Sequence, residues 1–357
     1  MKSLTGVRAT WILAAALALP GLAAAQTTPV YHIQNSVPLG PPDFWDYVVF
    51  EPNAHRVYVA HGDRVTVVDG YTGAIVGEVT GMPGGTHGIA IAPDAFRGYT
   101  DDGRAGEAVA FSLATLRVEK HIRAQPGSDA MAFDPVSGHV FVVNGDSGNL
   151  SVIDPKTNAN IATIAVGGDL EYVVSGRNGK LYVNGAEKKE LVRIDTATNV
   201  VDARWPIPQC TRPHGLAIDT RTHRLFVSCV NDLLTVVNAE TGATVTSLPI
   251  GSGTDAAAFD PIRRLVFSSN GRSGTISVIK EENADTFVSL GSIRTMVSAR
   301  TMALDPATGR IYLAGAEIGP LPPPPPAGAS VPRFRRPPIV HGSLRLMFLD
   351  PADLIRR

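Results

Sequence analysis

Short apolar bursts of four to six residues, cut by turns rich in Gly, Asn, Asp and Pro, run along most of this chain. The stretch MAFDPVSGHVFVVNGDSGNLSVID, Met131 to Asp154, reads as two β-strands and the start of a third. Close relatives of it recur. Taking as anchor the apolar residue before "DP" or its equivalent gives Phe50, Ile91, Phe133, Val174, Ile218, Phe259 and Leu304, at intervals of 41 to 45 residues. After each anchor come a turn such as "DPVSGH", a second strand such as "VFVVN", a third such as "LSVID", another turn and a β-rich run such as "ANIATIAVG". Each unit therefore predicts four strands.

Units of this length and strand count predict a β-propeller with seven four-stranded antiparallel blades, an all-β fold in which each sheet buries two apolar faces by stacking between neighbours. One and three residues before the anchors lie mainly small residues, as in Gly88/Ala90, Ala130/Ala132, Gly215/Ala217 and Ala256/Ala258. Small side chains let the inner strands crowd around an axis. The seventh unit lacks an outer strand at its C-terminal end, whereas "VYHIQNSVPLG", Val30 to Gly40, resembles the fourth-strand runs. We expect it to pair with Gly342 to Leu349, so that the last blade is built from both termini. An eight-unit or open arrangement is the rival, but there is no eighth anchor.

Composition narrows the setting. The chain has 357 residues, 44% hydrophobic and 18% charged, enough apolar content for a large core. Lys2 and Arg8, an apolar run from Trp11 to Leu19 and Ala23-Ala24-Ala25 read as a signal peptide over 1–25, with 26–357 as a single propeller domain. Pro20 and Gly21 interrupt a run already too short for a membrane anchor, and no later stretch is apolar enough to span. We therefore expect a soluble protein, periplasmic or secreted. Without Lys2 and Arg8, 30 basic residues face 33 acidic ones, so no global positive field attracts nucleic acid. In an oxidising compartment the two cysteines, Cys210 and Cys229, read first as a disulfide; two free buried thiols are the plain alternative, and a copper-type cluster with His214 lacks the local spacing.

Strand words such as Tyr58-Val59-Ala60-His61, Phe141-Val142-Val143-Asn144 and Tyr182-Val183-Asn184-Gly185, followed by "VIDPKTN" or "VVNAETG", resemble the YVTN repeats of the YncE-like and surface-layer-associated envelope proteins. The resemblance covers nearly all of the chain after the signal segment and implies the propeller fold. It implies no shared catalytic motif: one YncE-like branch is associated with single-stranded DNA, and more distant propellers include lactonases, lyases and quinoprotein subunits. Fold alone does not choose among these.

Propeller ligands usually meet the residues that begin the inner strands. Four residues before the anchors stand Asp46, His87, Asp129, Leu170, His214, Asp255 and Arg300, and in blade four Asp169 or Glu171 could reach the same rim. Three readings stay open for this ring: a self-satisfied cap of ion pairs, a small-ligand site, and a divalent-metal site with His87 and His214 facing across the channel. Hydrolysis there would use Asp46, His87 and Asp129 with a metal or an activated water. "GDSG" at Gly145 to Gly148 is hairpin chemistry, because "NGRSG" fills the equivalent turn in blade six. Walker, HExxH and Rossmann motifs are absent.

The large departure from the repeat is a Pro-rich insertion over 317–341, between the second and third strands of blade seven. It carries five consecutive prolines, Pro322 to Pro326, and the cluster Arg333, Phe334, Arg335, Arg336. That cluster is a solvated loop or a partner-binding patch that could stack on a base. The sequence thus reads as an exported, monomeric binding or scaffold protein for a small molecule or an envelope-protein partner. No cofactor is required and a divalent metal is allowed. A metal-dependent hydrolase or lyase and a single-stranded nucleic-acid binder are the alternatives, the last disfavoured by the acidity.

Overall fold

The protein is described from a computed structural model that covers residues 30–321 and 337–352. The segment 1–25 and the Arg333, Phe334, Arg335, Arg336 cluster lie outside the described residues. Blade one runs outward through Val48–Glu51, Arg56–His61, Arg64–Asp69 and Ile75–Thr80, all antiparallel. Five further four-stranded sheets repeat this order in sequence, with inner strands at Ile89–Ala92, Ser128–Asp134, Leu170–Ser175, Pro213–Asp219 and Thr254–Asp260. Blade seven takes Thr301–Leu304, Ile311–Gly315 and Arg345–Pro351 from the C-terminal end and Tyr31–Pro38 from the N-terminal end. Tyr31 pairs with Pro351 and Pro38 with Arg345, antiparallel, and the inner strands of blades seven and one touch to close the ring.

Sheets with two apolar faces place the core between blades. Seven clusters of buried apolar side chains occur among the described residues, one at each seam; Tyr58, Val67, Ile89 and Phe111 fill the first and Ala303, Tyr312, Val57 and Phe348 the last. Near the axis the strands approach too closely for side chains. A Cβ on Gly88 would collide with the Asp129 carbonyl oxygen, and one on Gly215 would lie 2.6 Å from the Ala256 carbonyl carbon. The small residues before the anchors are there for this reason.

The seams also carry polar latches that begin in the second strands. Tyr99 Oη donates to Asn158 Oδ1 (2.5 Å), Tyr182 Oη to the Ala239 carbonyl (3.0 Å) and Tyr312 Oη to the Gly70 carbonyl (3.0 Å), each in the outer turn of the next blade. Arg56, Arg97 and Arg310 reach the carbonyls of Leu113, Pro155 and Gly70 along the same route, at 2.7 to 2.9 Å. An Arg-x-Tyr pair thus ties blades two and seven to their successors, with the arginine alone acting in blade one and the tyrosine alone in blade four, and such a buried bond contributes about 1 kcal/mol.

The insertion in blade seven is zipped at its root. Ile318 bridges Ile339, Gly319 N donates to the Pro338 carbonyl and Val340 N to the Glu317 carbonyl, both at 2.8 Å. No helix among the described residues is long and apolar enough to cross a membrane.

Candidate functional site

The residues that begin the inner strands meet at one mouth of the channel. Asp46 is held just ahead of blade one, where its N–H donates to the Ala60 carbonyl (3.0 Å) and Tyr47 N to the His87 carbonyl of blade two (3.3 Å). In blades three to six the ladder between inner and second strands skips at its first residues, from Ser128 to Met131, Leu170 to Val173, Pro213 to Leu216 and Thr254 to Ala256. Asp129, Glu171, His214 and Asp255 sit in these bulges, which release a side chain from the ladder.

Blade four corrects the sequence alignment by one residue. Its anchor is not Val174 but Ser175, which pairs with Leu181 as Phe133 pairs with Val140. Ser175 escapes a search for apolar anchors because it is polar; its hydroxyl donates instead to Asp134 Oδ1 of blade three (2.6 Å). The shift puts Glu171, not Leu170, at the rim position. All seven positions are then ionisable: Asp46, His87, Asp129, Glu171, His214, Asp255 and Arg300.

Two adjoining cavities open here, of about 830 Å³ and 490 Å³, and share Phe44, Asp46, Asp129 and Glu171. His87 lines the larger; Tyr47, His214, Asp255 and Arg300 line the smaller. Every rim residue singled out from the sequence therefore faces one or both.

The two sides of this mouth differ in how their charges are matched. On the side of blades five to seven, Arg300 Nε lies 2.6 Å from Asp255 Oδ2 and His214 Nδ1 lies 3.1 Å from Asp255 Oδ1. Arg300 also donates to the Trp45 carbonyl (2.9 Å) and lies over the Trp45 ring, 4.6 Å from its centroid. A disulfide joins Cys210, in the connection entering blade five, to Cys229, with Cα atoms 5.3 Å apart, and so ties down the loop before His214.

On the side of blades one to three, His87 Nδ1 lies 2.8 Å from Asp101 Oδ2, while Asp101 Oδ1 accepts the N–H groups of His87 and Gly88 at 2.8 Å each. Asp101 is fully buried. Sequence reasoning missed it, yet a signal exists: "GYTDD" puts a carboxylate where the other second strands carry Ala60, Val143, Asn184, Ser228, Ser269 and Ala314. The half-buried carboxyls of Asp46 and Asp129, by contrast, have no hydrogen-bond or ion-pair partner among the described residues. Phe44 stands beside them, 46% exposed, edge-on to His87 at 5.9 Å.

The electrostatics follow from enclosure. Burial, the Asp255 charge and the Asp101 charge push Asp46 up to about 7 against the opposing fields of Arg300 and His87. Burial and the neighbouring Asp46 hold Asp129 well above the usual carboxylate range, and burial raises Glu171. Burial alone would lower His87; the hydrogen bond to Asp101 and the fields of Asp101, Asp129 and Asp46 outweigh it and lift His87 to about 9. Burial raises Asp101 to about 6, with its bonds to His87 limiting the rise. Between those two values the pair is ionic. Among the described residues, no group of three or more His, Cys, Asp and Glu side chains is arranged to hold a metal ion; in particular His87 pairs with Asp101 and His214 with Asp255.

Fold and site together define a seven-bladed β-propeller with an ionisable channel mouth. No family model matches the chain, and no curated protein matches it. Among solved structures it is similar to a chain of "Kuenenia stuttgartiensis Hydrazine Synthase", at 14% sequence identity and a TM-score of 0.67, over 84% of this chain and 96% of that one. At that identity the likeness extends to the fold.

Proposed function

We propose that the protein is an exported binding module, a YVTN-type, YncE-like propeller, whose ligand occupies the channel mouth between blades one and four. One observation carries this reading: Asp46 and Asp129 stand on the wall of an 830 Å³ cavity without a partner. Buried and half-buried carboxyls ordinarily find donors within the protein, so two that lack them are groups kept for something outside the chain. The Cys210–Cys229 disulfide supports an oxidising compartment, periplasmic or extracellular.

The His87–Asp101 pair favours a second reading, hydrolase or lyase chemistry at the same mouth. His87 holds its proton to about pH 9, so at neutral pH it serves as a donor and not as the base that activates a water. A nucleic-acid ligand at the mouth would meet Asp46, Asp63, Asp129 and Asp146 on the cavity wall, which repel phosphates.

A thermal-shift screen of chemically diverse small molecules, run in parallel on the wild-type protein and on Asp46→Asn/Asp129→Asn, tests the binding reading. A ligand that raises the melting temperature of the first and not of the second supports it. Ligands that stabilise both proteins equally would place binding elsewhere and refute the assignment.

A further inference from the structure

We propose that the open side of the channel mouth receives an organic cation carrying two or more protonated amino groups, an aliphatic di- or polyamine, held by Asp46 and Asp129 against the exposed ring of Phe44. This inference rests on the reading of the mouth as a binding site and adds the chemical class of the ligand.

Three independent features lead to it. The first is the sign and spread of charge. The larger cavity is lined by Asp46, Asp63, Asp129, Asp146, Asp169 and Glu171, against Arg104 and His87. Arg64 pairs with Asp63, and Arg212 with Asp169 and Glu171, which leaves the exposed Asp146 and the half-buried Asp46 and Asp129 as the lining carboxyls without an ion-pair partner among the described residues. A concave wall of one sign concentrates counter-ions. The second is the arrangement of those charges: no three of the described acidic or histidine side chains converge as metal ligands. Charge distributed over about 830 Å³ suits a cation that is itself extended, with its positive groups separated by methylenes.

The third is the aromatic surface. Phe44 touches both cavities and is 46% exposed, and Tyr47 lies in the smaller cavity 4.7 Å from the Tyr172 ring. An ammonium over an aromatic face is attracted by the electron-rich ring, more strongly when desolvated, and the rings offer apolar surface to a methylene chain. On the matched side Arg300 already lies over the Trp45 ring and is paired with Asp255, so that ring and that carboxylate are occupied from within the chain.

The groups that face the two carboxyls fix the pH dependence. Asp46 meets Asp255, Arg300, His87 and Asp101; Asp129 meets Asp46, His87, Asp101 and Glu171. Without a ligand cation both carboxyls retain protons to an unusually high pH, with Asp46 at about 7. Aliphatic amines stay protonated to roughly pH 10. Amine binding therefore displaces protons, and affinity increases as pH rises through neutrality while His87 keeps its charge to about 9.

Isothermal titration of the purified protein with spermidine, at pH 6 and pH 8 and in two buffers of different ionisation enthalpy, is the test. We expect at least about tenfold tighter binding at pH 8, net proton release, and at least about tenfold weakening in Asp46→Asn/Asp129→Asn at pH 8. Phe44→Ala should weaken binding about threefold, with the fold of each variant checked by near-ultraviolet circular dichroism. Absence of spermidine binding at millimolar concentration, or binding indifferent to the Asp46/Asp129 substitutions, overturns the proposal. A parallel titration with a neutral disaccharide and a dicarboxylate separates the two levels. If either binds and loses affinity in the double variant while spermidine does not bind, the mouth is a binding site and the amine class is wrong.

Discussion

At one side of the channel mouth Asp255 is bracketed by Arg300 at 2.6 Å and His214 at 3.1 Å; at the other, Asp46 and Asp129 point into the same space with nothing to hold. These residues occupy equivalent positions in equivalent blades, so the fold itself does not decide whether a rim charge is matched. What differs is the neighbour: an arginine begins blade seven, whereas a histidine already committed to Asp101 begins blade two. Structural repeats put like groups in a circle, and local departures from the repeat decide which of them are left available. Sites where a local rule is broken without an internal compensation are where function is expected.

Substitutions on each side separate the two roles, and the largest effect falls on the open side. Asp101→Ala removes the acceptor of three donors in a fully buried setting and should cost about 3–5 kcal/mol by denaturant unfolding. Asp101→Asn should cost less and bring the His87 titration down from about 9, followed by nuclear magnetic resonance of the imidazole. A loss under about 1 kcal/mol for Asp101→Ala would show that the pair is incidental. On the matched side, Cys210→Ala/Cys229→Ala opens a loop of sequence separation 19 and should cost about 3 kcal/mol in a comparison of melting curves. Arg300→Met keeps the aliphatic stem, strips Asp255 of its arginine and should cost about 1–2 kcal/mol, modest because the guanidinium is one-third exposed.

The smallest effect has the opposite sign. Asp46→Asn/Asp129→Asn should stabilise the ligand-free protein at pH 8 by about 1 kcal/mol and leave it unchanged at pH 4. The sign follows from linkage. Asp46 titrates near 7 in the native state and near 3.9 when unfolded, so the native state binds more protons across that window and stability falls as pH rises through it. His87 acts the same way at higher pH: its contribution is whole below about 6.5 and is lost as pH passes about 9. Wild-type stability should thus decline from mildly acidic to alkaline pH, and the double variant should flatten the first part of that decline.

Much of the architecture was legible because a propeller writes its geometry into a period. Six of the seven anchors, the crowded Gly88 and Gly215, and the pairing of Tyr31–Pro38 with the last strand follow from alternation and spacing in one chain. The register of blade four was hidden because Ser175 fills an apolar slot with a hydroxyl bonded across the seam to Asp134. The bulges that free Asp129, Glu171, His214 and Asp255 depend on pairing and not on composition, so no local word marks them. Asp101 was readable as the one charged residue among its equivalents, but its partner is set by backbone geometry. The matching of Arg300 and the isolation of Asp46 are differences of a few ångströms between side chains from separate blades, which a one-dimensional period does not encode.

The clasp between Tyr31–Pro38 and Arg345–Pro351 joins segments roughly three hundred residues apart. During synthesis the arm emerges early and waits through six blades before its docking edge exists, so the toroid locks only when the final strand arrives. Contacts of such long reach are slow to form, and a waiting edge accepts any matching strand. At high concentration a strand of another copy competes for that edge, and reciprocal exchange of arms is the misassembly this closure topology favours.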